Sequence, residues 1–281
     1  MKWILKIIIK LLVSRLPLSY GFWKTIGLFR HGRMDSADYP IKIFNLHTAR
    51  AFPLGLPNGA TILELGPGDS VASALLGFSK GATQVYLVDV ANFARSDVAF
   101  YQALALDMKN KGVAAPDLST AESINDVLQA CNARYLTQGM ASLRAIPSGS
   151  IDFMWSHSVL EHVRRFELSD VLCELRRILK PGGIASHNVD YQDHLDHALN
   201  NLRFSEAVWE SPLFSGAGFY TNRVPAVCLH QMFRECGFDI LQESFGKWPD
   251  LPTPRSAMDQ VFQSFSDDAL LNRTSHVLLR A

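Results

Sequence analysis

Three observations predict a doubly wound α/β fold with a mostly parallel sheet. The apolar run Thr61–Leu65 breaks at Gly66-Pro67-Gly68 and passes into a helical stretch. A second apolar run, Val85–Val88, ends in Asp89. A third alternates Ile151, Phe153 and Trp155 before the polar break Ser156-His157-Ser158, and the helical stripe Leu168, Val171, Leu172, Leu175, Ile178 and Leu179 follows it. Strand periods alternating with helix periods read as successive βα units.

The elements follow in chain order. Residues 1–35 are a basic, apolar appendage, and residues 36–281 form the main domain. A linker helix over Ile41–Phe52 leads through Pro53 and Pro57 into the first strand. A helix over 70–79 follows the glycine turn, and the second strand covers 84–89. Residues 91–133 exceed one crossover helix and form an insertion: a helix over Phe93–Lys111, a loop, then a helix over Ala121–Cys131. Tyr135-Leu136 is a short third strand. Leu179-Lys180-Pro181-Gly182-Gly183 stops the long helix, and Ile184-Ala185-Ser186 starts another strand. A second insertion covers 187–225. The chain shows no internal repeat and no low-complexity tract.

The first turn carries the chemistry. Glycines there let the backbone approach a ligand that any Cβ would push away. A carboxylate at the second strand's tip, Asp89, suits both hydroxyls of a ribose. A dinucleotide loop wants a small third residue, where this chain has Val71, and Asp69 would face a pyrophosphate with like charge. A cofactor without phosphates suits the loop better, leaving a nicotinamide dehydrogenase as the weaker reading.

Thr61–Val71 resembles motif I of the class I S-adenosylmethionine (SAM) methyltransferases, with Glu64, Gly66, Gly68 and Ser70 at the matching positions. D-F-x-W-S, L-E-H-V and R-R-I-L-K-P-G-G then resemble the same family's fourth strand, following helix and fifth strand. The resemblance covers roughly residues 50–190. It implies a Rossmann-like, seven-stranded sheet in the order 3-2-1-4-5-7-6 and SAM as the cofactor. It assigns cofactor contacts to Glu64, Gly66, Pro67, Gly68, Ser70, Asp89, Val90, Gly139, Met140 and Ser156. The chain also looks similar to type 11 methyltransferases of bacterial surface-polysaccharide clusters, which share an F-Y-T-N-R segment and a hydrophobic basic N-terminus.

A hydroxyl acceptor needs a base, and His157, after strand four, leads; His187 and Asp190, after strand five, follow. His162 reads as structural. The segment 187–225 mixes histidines and carboxylates with Phe204, Trp209, Phe214, Phe219 and Tyr220, a combination that suits a polar ring such as a sugar. Asp190, His194 and His197 would share one face of a helix, where a divalent metal could bind; the preferred reading is a solvated or substrate-orienting cluster and no metal. The expected activity is methyl transfer to a hydroxyl of a glycan or lipid-linked sugar. The alternatives are a carboxyl or other small-molecule acceptor and a SAM-fold scaffold without turnover.

Net charge is zero over 281 residues, yet residues 1–34 hold seven basic and no acidic side chains. Lys2, Lys6 and Lys10 make a narrow basic stripe on an otherwise apolar helix, which suits a membrane interface with anionic lipids. Packing on the protein itself is the competing reading. The lysines interrupt any spanning or signal segment, and arms that bind nucleic acid are seldom so apolar. The expected location is cytoplasmic, peripheral at the inner face of the membrane. Four cysteines without a C-x-x-C pair read as free thiols, Cys173 within the apolar register of its helix, in a reducing compartment.

Overall fold

The computed structural model describes residues 2–13 and 38–281. After α1 (Lys2–Val13) and α2 (Asp38–Ala51) come β1 (Thr61–Leu65), α3 (Ala72–Ser79), β2 (Gln84–Val88), α4 (Val98–Asn110), α5 (Ile124–Ala130) and β3 (Ala133–Leu136). Then follow α6 (Met140–Ala145), β4 (Ile151–His157), α7 (Arg165–Ile178), β5 (Leu179–Asp190), α8 (Ala226–Glu235), β6 (Asp239–Lys247) and β7 (Asn272–Arg280). The sheet runs β3-β2-β1-β4-β5-β7-β6, the order implied by the resemblance. Its first five strands are parallel, and β7 lies antiparallel between β5 and β6.

Strand alternation divides the core in two. On one face Ile62, Leu87, Phe153 and Trp155 pack with Phe44 of α2, Leu75 of α3 and Leu104 of α4. On the other, Leu63, Met154, Ala185 and Val277 meet Leu168, Leu172 and Leu175 of α7 and Phe233 of α8. Each such leucine contributes about 1.5–3 kcal/mol by leaving water. Val71 is fully buried at the start of α3; the glycine that brings this helix close to the sheet is Gly77, where a Cβ would meet Val85 Cγ2 at 2.6 Å.

A cap covers the tips of β4, β5 and β7. Part of it is the expected insertion, whose Leu195, Trp209, Ala217, Phe219 and Tyr220 form a small core of their own. The rest comes from the β6–β7 connection, where Met258, Phe262 and Leu270 pack on Leu199 and Leu202 of the insertion. The aromatic residues expected to present faces to a sugar instead stack on one another, Trp209 and Phe219 being fully enclosed. Residues 187–197 are not a helix: β5 continues to Asp190, and turns follow. Asp193 is buried there, accepting the backbone N–H groups of Leu195, Asp196 and Asn200.

Helix α1 packs on this cap through Trp3, Ile7 and Leu11. Two lysines of its basic stripe turn the same way, contrary to a lipid-facing role for them: Lys6 Nζ donates to the Leu195 carbonyl and Lys10 Nζ to that of Gly218. On the outward face Ile4, Leu5, Ile8, Ile9 and Leu12 are exposed. The other basic positions of the appendage, Arg15, Lys24, Arg30 and Arg33, lie outside the described residues, as do its Tyr20–Trp23 and Phe29–Arg33 stretches. Among the described residues no helix is long and apolar enough to cross a membrane.

One cysteine expectation is overturned. Cys173 stands exposed on α7, beside the buried stripe instead of within it, and forms a disulfide with Cys236 at the end of α8. The two Cα atoms are 5.0 Å apart, so two helices adjacent on one face of the sheet bring together cysteines 63 residues apart in sequence. Cys131 and Cys228 are free.

Candidate active site

The loop after β1 is shaped by its backbone. Gly66 and Gly68 have φ of 73° and 63°, the left-handed region that favours glycine. A Cβ on Gly66 would lie 2.4 Å from Val159 Cγ2, so the glycine loop and the chain leaving β4 touch at this point. Pro67 is buried against the loop. Ser70 is also buried, its Oγ accepting the Ala72 N–H, so it holds the start of α3 instead of facing a ligand.

Asp89 closes the other side. Its carboxylate accepts the N–H of Gly68 at 3.0 Å and of its neighbour Val90 at 2.7 Å, tying the two strand tips together. Beneath it Glu64 is buried, with Oε2 lacking a hydrogen-bond partner. Burial, with the charge of Asp89 adding to it, pushes the Glu64 carboxyl up to about 8, so it is protonated at neutral pH. The exit of β3 joins the cradle: Gly139 N–H donates to the Asp89 carbonyl, and a Cβ on Gly139 would press on Val90 Cγ1 at 3.3 Å. Val90 itself is 73% exposed, an uncovered apolar side chain at the strand tip, with half-buried Met140 opening α6 nearby. A carboxylate flanked by an open apolar surface and close-approach glycines, with a buried neutral carboxyl below, fits a nucleoside.

The β4 tip carries His157, half-buried on the α2 side of the sheet. Burial pushes its imidazole down to about 4, so it is neutral at pH 7. Its Nδ1 meets His47 Nε2 of α2 at 3.3 Å. Ser158 next takes φ of 54° and turns the chain away. Side chains one position off point to the opposite face, which corrects two expectations. Ser156 is fully enclosed, its Oγ 2.7 Å from His187 Nδ1. His187 does not follow strand five but sits inside it, enclosed, stacked on Phe233 and pushed down to about 3 by burial. Neither side chain reaches a site from there.

Asp190 ends β5 at the mouth of a cavity lined by Glu161, Thr221, Asn222, Arg223 and Asn272. Its Oδ1 accepts both N–H groups offered by Gln192. Glu161 is buried; its Oε1 accepts the Asp190 N–H and its Oε2 has no partner, and burial holds its carboxyl well above the usual range. The T-N-R segment fastens the cap here: Asn222 Nδ2 donates to the carbonyls of Leu160 and Val163, and Arg223 Nη1 to that of Phe204. His162 is structural in position, its Nδ1 3.0 Å from the Tyr220 carbonyl oxygen. His194 packs on the His162 ring, and among the described residues no cluster of three or more His, Cys, Asp or Glu could hold a metal ion.

Sequence reading missed Glu161, Arg223 and, above all, His47 and His276. The one signal for His47 is its place on the apolar register of α2, between Phe44 and Ala51; His276 carries no local signal, since only sheet pairing brings it near.

Residues 63–186 match the family model described as a methyltransferase domain. Solved structures of similar shape include a SAM-dependent methyltransferase from Mesorhizobium loti (15% identity, 88% of this chain and 100% of that one, TM-score 0.46). Others come from Methanosarcina mazei (16% identity, 82% and 95%, TM-score 0.49) and Archaeoglobus fulgidus (12% identity, 85% and 94%, TM-score 0.47). At such scores they add no argument of their own. No curated protein matches the sequence. The glycine loop, Glu64 and Asp89 all fall within the matched span, so over residues 63–186 this chain is similar to a methyltransferase domain.

Proposed function

We propose that the protein methylates a hydroxyl of a glycan or lipid-linked sugar, with His157 as the general base. The observation that carries this reading is a neutral histidine at the β4 tip, adjoining the chain turn that touches the glycine loop. SAM, when bound, supplies an electrophilic methyl on a sulfonium. Asp89 would hold its ribose, Gly66, Pro67 and Gly68 would pass close beneath it, and Val90, Gly139 and Met140 would pack on its purine. Glu64 would support the loop from below as a neutral carboxyl. His157 accepts the hydroxyl proton, a role worth roughly 10²–10⁴-fold. Asp190, with Glu161 and Arg223 behind it, orients the polar acceptor beneath the cap.

The lipid-linked form of the reading rests on α1. Its five exposed apolar side chains lie on a helix docked directly on the cap, so a membrane surface met by α1 would also meet the acceptor side. The attraction is then apolar burial, since Lys6 and Lys10 are engaged with the protein. On this reading the enzyme works at the cytoplasmic face of a membrane.

The test is transfer of labelled methyl from SAM to sugar nucleotides and to a bacterial glycolipid extract. Alkali-stable label in the glycolipid supports the reading. Alkali-labile label indicates a methyl ester and the carboxyl alternative; label in neither pool, with SAM bound, supports the scaffold. His157→Gln should lower transfer at least about a hundredfold; unchanged transfer removes His157 as the base.

A further inference from the structure

His157 does not stand alone. His47 Nε2 lies 3.3 Å from His157 Nδ1, His47 Nδ1 lies 2.8 Å from Ser186 Oγ, and Ser186 Oγ lies 2.7 Å from His276 Nε2. The chain crosses from α2 to β5 to β7 on one face of the sheet. His47 and Ser186 are fully buried, His47 stacking on Trp155, and His276 is nearly so. His276 pairs across the sheet with Ser244, whose hydroxyl accepts a hydrogen bond from Arg50 at the solvent-exposed edge. We propose that His47, Ser186 and His276 are positioning residues that form, with His157, a proton-transfer chain from the active site to His276 on β7, beside the β6 edge of the sheet. This rests on the reading of His157 as the base.

Hydrogen-bond bookkeeping allows two continuous arrangements. In the outward one His157 Nδ1–H donates to His47 Nε2, His47 Nδ1–H donates to Ser186 Oγ, and the serine hydroxyl donates to His276 Nε2. All three rings are then Nδ1–H tautomers, and His157 Nε2 keeps a free lone pair. In the inward one every bond is reversed, and all three are Nε2–H tautomers. One proton taken from the acceptor hydroxyl at His157 Nε2 converts the first set into the second. Four shifts follow: to His47 Nε2, to Ser186 Oγ, to His276 Nε2, and from His276 Nδ1 to water. Every ring ends neutral, and charge and protons balance. The reverse passage, after product leaves and water reaches His157 Nε2, restores the first set.

The need for such an exit is physical. Burial keeps His47, His157 and His276 neutral at pH 7, the last two at about 4, so none of them can store a proton. A base so weak gains by handing its proton on. Arg50 at the far end opposes a resting cation on His276, which favours release over retention.

The test is ¹⁵N-histidine NMR of the full chain at pH 7.5, which reports each ring's tautomer without substrate. The expected result is Nδ1–H at His157, His47 and His276 together. Ser186→Ala, which removes one oxygen from the chain, should leave the amide spectrum native and make His47 and His157 populate both tautomers. His47 as Nδ1–H with His276 as Nε2–H, both donating to a serine whose hydroxyl points elsewhere, overturns the proposal, as does a His157 tautomer indifferent to Ser186→Ala. Mixed tautomers beside an impaired His157→Gln variant refute the chain alone. A fully active His157→Gln refutes the base, and the chain with it.

Discussion

The tips of β1, β2 and β3 and the tips of β4, β5 and β7 face the same end of the sheet, yet they are built differently. On the cofactor side the backbone does the shaping: two left-handed glycines, one carboxylate gripping two N–H groups, and a carboxyl below. On the acceptor side the shaping is done by side chains from distant segments, namely His47 of α2, Glu161 after β4, Arg223 of the cap and His276 of β7. Backbone shape tolerates few substitutions but is locally encoded. A side-chain assembly can be varied residue by residue, which suits the half proposed to set acceptor choice.

The sharpest break between the two halves should come from Gly66→Val. The left-handed backbone alone costs about 1–2 kcal/mol, and the new side chain would overlap Val159. Calorimetric titration should show SAM affinity falling at least about tenfold, equivalent to 1.4 kcal/mol. His157→Gln should do the reverse, sparing SAM affinity while transfer falls.

Acid should report mainly on the acceptor side. His47, His157, His187, His194 and His276 are all depressed by burial, whereas the unfolded imidazole titrates near 6.5. Their contribution to stability is full above about pH 6.5. It is lost as the pH falls toward the folded values, at up to about 1.4 kcal/mol per pH unit and group. Glu64 and Glu161 are raised and act in the opposite sense, Glu64 losing its contribution between its ordinary carboxylate value and about 8. His230 is lowered by burial as well, and two groups against six leave a falling melting temperature between pH 6.5 and 4.5, read by thermal scans. His276→Phe should flatten that fall.

The smallest effects concern α1. Lys6→Ala removes an exposed contact, with Nζ 3.9 Å from Asp196 Oδ1, and should change stability by less than about 1 kcal/mol. Leu5→Asp with Ile8→Asp should leave stability nearly unchanged and abolish sedimentation with anionic vesicles. Unaltered sedimentation would remove the membrane reading.

The division also decides what was legible in the sequence. A glycine turn, a strand-end acid and a helix stop are local, so these motifs could be read from the sequence, and the family resemblance they carry implied the strand order. Ser156 and His187 were misplaced because a strand's two faces differ by one residue, and the motif does not say which face meets the ligand. The histidine chain was invisible because α2, β5 and β7 meet only through helix packing and sheet pairing between distant segments. Cys173–Cys236 escaped for the same reason, and the aromatic residues of the cap became a core because α1 and the cap needed one.

The most direct test of the central claim is the melting-temperature shift with SAM, S-adenosylhomocysteine and NAD, on the native chain and on Asp89→Ala. A ligand bound only to the folded state at 100 times its dissociation constant stabilises by about 2.7 kcal/mol. The expected result is a rise with both sulfur nucleosides, none with NAD, and none with any of them in Asp89→Ala. A rise with NAD, or an equal SAM shift in Asp89→Ala, would contradict it.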